Sequence, residues 1–127
     1  MAKSKTSPSK IAVWIVVGLL IVGLAGERAE ILARARAMRA AMDGLGGWET
    51  LGCGAYFAYV RHPLGPSDRA APALVAQAGV LLLPGTMFRP DGGGADEARI
   101  AFANLGADGI GALEGRLAEV TASGLRL

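Results

Sequence analysis

The sequence predicts an α+β fold, a small sheet of about four strands covered by helices on one side, and two features of the chain point to it. Apolar residues at spacings of three and four alternate with short β-favouring runs in the order helix, strand, strand, helix, strand, strand, helix. Glycine, proline or aspartate bounds most runs, so the breaks fall between elements rather than inside them. A chain of 127 residues holds one domain with a modest core plus an appendage.

The appendage comes first. Residues 1–10 are polar and carry all three lysines, Lys3, Lys5 and Lys10, and Ile11–Ala25 is an uninterrupted apolar run containing Trp14, Gly18 and Gly23. A charged tip, an apolar run and then small residues make the pattern of a secretory signal or signal anchor. Fifteen apolar residues are fewer than the roughly 20 that cross a bilayer as a helix, and Ser9 and Gly26 extend the reach. The lysines would stay on the cytoplasmic side, placing the body on the far side as the domain of a single-pass membrane protein. Gly23-Leu24-Ala25 also offers the small residues a signal peptidase reads, so anchor and cleaved signal both fit. A helix packed on the body fits less well, because an apolar run without a polar face needs more neighbours than a domain of ~100 residues supplies. Residues 1–26 are thus expected to form a separate apolar helix ahead of a domain at 27–127.

In the body, Glu27–Met42 places Ile31, Leu32, Ala35, Met38 and Met42 at helical spacing. Arg28, Arg34, Arg36 and Arg39 fall mainly on the other faces, where Glu27 and Glu30 suit a solvated surface better than an anionic partner. Trp48–Leu51 is a short strand and Ala55–Arg61 a longer one that His62-Pro63 ends, because proline cannot donate to a ladder. Ser67 is placed to cap a helix over Asp68–Ala78 with the stripe Ala71, Leu74, Val75 and Ala78, and Gly79 ends it. Val80–Leu83 reads as a buried strand bounded by Pro84-Gly85. After a turn at Asp91–Gly94 the strand Arg99–Ala103 follows, holding a cation at the edge of the sheet. A last helix opens near Gly106 or Asp108 and runs to about Ala122, with Ile110, Leu113, Leu117 and Val120 inward.

Composition removes several functions. From Glu27 onward ten arginines face eleven carboxylates, so the basic balance comes from the N-terminal tip alone, and neither a basic face nor an aromatic ladder marks a nucleic-acid binder. The single cysteine, Cys53, forms no internal disulfide and with the single histidine, His62, makes no metal cluster. Cys53 reads as a small buried apolar residue, and His62 as a loop residue with no acid or nucleophile beside it in sequence to orient it. Gly92-Gly93-Gly94 lies between strands and opens no helix, so it is a flexible turn and not a phosphate loop. Arg99 alone stands out. In isolation it suits a salt bridge at a strand end better than an anion contact.

Three landmarks occur in order: Gly54-Ala55-Tyr56-Phe57 on a strand, Gly79-Val80 leading to Leu83-Pro84-Gly85 with Phe88 beyond, and Arg99-Ile100-Ala101-Phe102-Ala103-Asn104. In this order and spacing, residues from about 27 to 120 resemble the C-terminal small domain of class I/II aminotransferases, the fold-type I enzymes that use pyridoxal phosphate. Residues 1–26 resemble, weakly, the N-terminal anchor of bacterial membrane-bound peptidyl-prolyl isomerases, although nothing after them reads as an isomerase.

The aminotransferase resemblance implies amino-group transfer between an amino acid and a 2-oxo acid, and assigns Arg99 to the substrate α-carboxylate, with the turn near Gly54 and the Pro84-Gly85 loop approaching the substrate. It also implies a lysine that binds the cofactor as a Schiff base, an acid for the pyridinium nitrogen and a phosphate cup, all on the family's large domain. No lysine follows Lys10. The resemblance therefore implies the substrate half of an active site, not expected to bind pyridoxal phosphate by itself and inactive alone. A large domain supplied in trans, or self-association over the apolar surface such a domain would cover, is the implied partner. A membrane-anchored binding or interaction module without chemistry is the alternative. Enzymes of this family mostly work in the cytosol, which conflicts with an exporting anchor; a gene fusion, a truncated gene and a chimeric gene model would each produce such a join.

Overall fold

The computed structural model describes residues 8–127, so Lys3 and Lys5 lie outside the described residues. Its elements are α1 (Pro8–Asp43), β1 (Glu49–Cys53), β2 (Phe57–Arg61), α2 (Ser67–Ala78), β3 (Leu83–Pro84), a 3-10 turn (Gly85–Met87), β4 (Glu97–Ala101) and α3 (Ala107–Ser123). The fold is α+β, as expected. The apolar segment and the amphipathic segment, expected as separate helices, form one continuous α1, because neither Gly26 nor Glu27 imposes a break that the flanking alanines and leucines do not override. The chain divides into two compact units, one ending at Glu30 and the other spanning Ile31–Leu127.

In the first unit nearly all the apolar side chains are exposed, Trp14 at 72% and Val22 at 70%. The helix is long and apolar enough to cross a membrane.

The second unit is built on a four-stranded antiparallel sheet in the order β1-β2-β4-β3. Alternation along the strands sends Ala58 and Val60 of β2 and Ala98 and Ile100 of β4 to one face, where all four are buried. Met38, Met42, Leu74, Leu113 and Leu117 from the helices complete that core. Residues 57, 59, 61, 97 and 99 take the other face, and the register sets Tyr59 opposite Arg99 and Arg61 opposite Glu97. The inward set foreseen for α3 is the observed one. In α2 the stripe is rotated: Ser67, Ala70, Ala71 and Leu74 are buried while Val75 is exposed, and Leu32 of α1 is exposed too.

Several boundaries differ from expectation. β1 is shifted forward to Glu49–Cys53, with a register shift between Thr50 and Gly52, and β2 begins at Phe57 because residues 54–56 form the turn. The expected strand Val80–Leu83 shrinks to Leu83–Pro84, which pairs only with Arg99 and Ala98. Pro84 has no N–H with which to extend that ladder. β4 starts at Glu97, so Arg99 lies in the middle of an interior strand and not at a sheet edge. Ser67 does not cap α2: its hydroxyl lies 2.8 Å from the Ala95 carbonyl oxygen and 2.7 Å from that of Glu97, tying the start of α2 to the start of β4. Cys53 is half-buried rather than buried, and burial pushes its thiol pKa up, which suits an unreactive packing residue.

Gly79 closes α2 in the left-handed conformation at φ 64°, the conformation that favours glycine. Gly85 is required for a different reason. A Cβ there would sit 2.6 Å from the Glu97 Cβ and 2.7 Å from the Gly94 carbonyl oxygen, both backbone-fixed positions. Replacing Gly85 with alanine is expected to cost about 2 kcal/mol or more through this overpacking. Gly46→Ala, at a position with open space, should change stability by less than ~0.5 kcal/mol. Urea denaturation of the two variants in mild detergent checks the contrast.

Candidate functional site

The open face of the sheet carries an array of charge and aromatic rings. Its anionic member is Glu97, only 5% exposed. Tyr59 donates its hydroxyl to Glu97 Oε2 at 2.7 Å, Arg89 Nη1 lies 3.3 and 3.4 Å from the two carboxylate oxygens, and Arg61 Nη2 is 3.9 Å away. Burial, and then the Glu97 carboxylate as acceptor and charge, push the Tyr59 pKa up to about 12. Arg61 also pairs with Glu49 and Asp96, and Arg89 with Asp91. The Gly93 N–H and Arg89 together hold the Asp91 carboxyl below its usual range, fixing the turn that precedes β4.

Arg99 is treated differently. Its guanidinium carbon lies 4.4 Å from the ring centroid of Phe57 and 4.4 Å from that of Phe88. Phe88 in turn stands edge-on to Tyr59 with centroids 6.3 Å apart. The two rings bracket the cation, a contact worth about 0.5–2 kcal/mol each. Among the described residues no carboxylate pairs with Arg99, and its Nε is buried without an acceptor. The salt-bridge alternative for Arg99 is therefore not what these residues form.

Beside Arg99 lies a cavity of about 360 Å³ lined by Phe57, Leu81, Leu82, Leu83, Ala101 and Asn104 among others. That volume is at the small end of ligand sites. Neither Gly54 nor Pro84-Gly85, the loops expected to approach a substrate, is among the lining residues. Gly54 instead closes the β1–β2 turn through its N–H to the Phe57 carbonyl, and Gly85 is buried against Glu97 and Gly94. Sequence reasoning misses the aromatic bracket and the Leu81–Leu83 wall. The signal is nevertheless present in the two-residue period that puts Phe57, Tyr59, Glu97 and Arg99 on one face.

His62 is not a free loop residue. It is 4% exposed, and Trp48 packs beside it with ring centroids 5.8 Å apart. Its Nδ1 accepts the Leu64 N–H at 3.2 Å, so in the neutral ring Nε2 carries the proton toward Ser67 Oγ, 2.8 Å away. The serine hydroxyl then donates onward to the Ala95 or Glu97 carbonyl. The imidazole here is a donor to serine, the reverse of a base that would activate it, so the pair is a structural clamp. Among the described residues no group of three or more histidine, cysteine or acidic side chains is arranged to hold a metal. Of the four arginines on α1, Arg28, Arg36 and Arg39 are exposed, whereas Arg34 turns in to donate to the Ala103 carbonyl at 3.0 Å.

No family model and no curated relative matches the sequence. Solved structures do. The chain is similar to the alpha-aminoadipate aminotransferase of Thermus thermophilus, solved with N-(5'-phosphopyridoxyl)-L-leucine, at 26% identity and a TM-score of 0.64, covering 85% of this chain and 30% of that one. It is similar to a multiple substrate aminotransferase from Thermococcus profundus at 22% identity and TM-score 0.66 (87% and 28% covered), and to alanine aminotransferase from Pyrococcus furiosus at 16% and 0.68 (79% and 26% covered). The chain thus has the fold of a piece of these aminotransferases and spans between a quarter and a third of their length.

Burial holds the His62 pKa below its ordinary 6.5, with Asp96 opposing weakly. The unfolded chain therefore takes up the proton first, and the stability this residue contributes is complete above pH 6.5 and is lost as pH falls below it toward the folded-state pKa. Urea midpoints between pH 8 and 5 should fall on the acid side, and His62→Gln should flatten that part of the profile.

Proposed function

We propose that residues 27–127 act as the substrate-side small domain of a pyridoxal-phosphate-dependent aminotransferase, with Arg99 taking the carboxylate of an amino acid or 2-oxo acid, and that residues 1–26 anchor the chain in a membrane. The observation that carries the first part is a bracketed guanidinium with no carboxylate of its own among the described residues, facing a small cavity. Two parallel charge-assisted bonds to a ligand carboxylate would give that cation its missing partner and fix the ligand's orientation. The likeness to solved aminotransferases supports the same reading.

Pyridoxal phosphate does not fit the residues described. Its chemistry depends on a lysine that holds it covalently and relays a proton, and the only lysine among the described residues, Lys10, lies in the first unit. The body is accordingly a binding half, and amino-group transfer requires a large domain that brings the lysine, the acid and the phosphate cup. An anchored module that binds without chemistry is the second reading, favoured by the exposed apolar side chains of residues 11–25. It shares the Arg99 site and dispenses with the large domain.

Two measurements test this function. In NMR titrations of the full chain in detergent micelles, Arg99→Gln should weaken binding of a 2-oxo acid at least tenfold, the size of about 1.4 kcal/mol or more of charge-assisted bonding, and an unchanged affinity would remove the carboxylate role. After carbonate washing of cell membranes the chain should remain in the pellet and its body should be cut by protease added from the outer side. Recovery in the soluble fraction would remove the anchor.

A further inference from the structure

If Arg99 takes a ligand's carboxylate, the other walls of its cavity say what the rest of that ligand must be. They include Phe57, Leu81, Leu82, Leu83 and Leu105, with Asn104 as the one further polar side chain among the described residues. No second cation among them lines the cavity. Arg34 donates to the carbonyl of the lining residue Ala103. Arg61 and Arg89, on the same sheet face, are held by Glu49, Asp96, Glu97 and Asp91. A second ligand carboxylate would lie against apolar walls without a cationic partner, whereas an aliphatic or aromatic group would replace water there.

We infer that the cavity beside Arg99 selects a monocarboxylate with an apolar side chain, an amino or 2-oxo acid of the branched aliphatic or aromatic kind, over a dicarboxylate. The inference rests on the carboxylate role of Arg99 and adds the ligand's chemical class to it. Discrimination comes from the leucine wall and not from a further positive contact, because a site with one charge and apolar surroundings rejects an unpaired charge more strongly than it distinguishes one hydrocarbon from another. The volume of about 360 Å³ accommodates one such acid.

Leu81 provides the test, since it is 73% exposed and its replacement leaves the core untouched. The full chain in micelles is titrated with 4-methyl-2-oxovalerate and with 2-oxoglutarate, read from the Arg99 Nε–H signal and the backbone amides of residues 81–83 and 101. The expected result is at least tenfold tighter binding of 4-methyl-2-oxovalerate, with Leu81→Lys weakening binding of that acid, strengthening that of 2-oxoglutarate and so narrowing or reversing the ratio. Equal binding of the two acids, or a preference for 2-oxoglutarate, overturns the selectivity and leaves the Arg99 role standing. Binding that Arg99→Gln does not weaken, or no binding of either acid, overturns both.

Discussion

The constraint on which the second unit rests is the interior position of β4. Paired with β2 on one side and with the short β3 on the other, it must give every second residue to the core, and Ala98 and Ile100 are buried there. Glu97 and Arg99 are thereby committed to the opposite face, two residues apart, with no freedom to exchange roles. The strand's start is fixed three ways: by Ser67 through the Ala95 and Glu97 carbonyls, by the His62 N–H to the Asp96 carbonyl, and by Gly85 packed against Glu97. A cation meant to meet a ligand is best carried on such a backbone, because its Cα moves only if the core moves.

The charges on that face are then divided unequally. Glu97, the buried acid, is taken by Tyr59, Arg89 and Arg61, and the acids at positions 49, 91 and 96 are taken by the same two arginines. Arg99 receives aromatic faces in place of acids. A ring attracts the guanidinium through its quadrupole without neutralising it, so the cation is held in place and its charge stays available. An acid within reach would have made the same arginine a structural salt bridge, with its bonding capacity used up.

Much of this organisation is legible in the sequence. The core faces of α3, the αL stop at Gly79, the strand–strand–helix order and the singling out of Arg99 follow from period and punctuation, which are local properties. The continuity of α1 across residue 26 escapes because composition changes there while helix propensity does not. The stripe of α2 is rotated because Ser67, a polar residue, is buried through hydrogen bonds to carbonyls 28 and 30 residues away. His62 resembles a loop residue in sequence for the same reason: its partner Ser67 is only five positions on, but that the intervening turn closes on it is a tertiary fact.

The sequence by itself determined the order of helices and strands, the core face of α3, and that an arginine follows the glycine-rich turn, since these depend on spacing within a single segment. Tertiary structure alone decided that Arg99 sits on an inner strand, that Phe57 and Phe88 bracket it, and that Glu97 is already engaged by other partners. These outcomes turn on pairing register between segments about 10 to 40 residues apart. Side-chain periodicity specifies a strand's two faces but not its neighbour, and the neighbour is what separates an arginine paired with an acid from one held between aromatic rings.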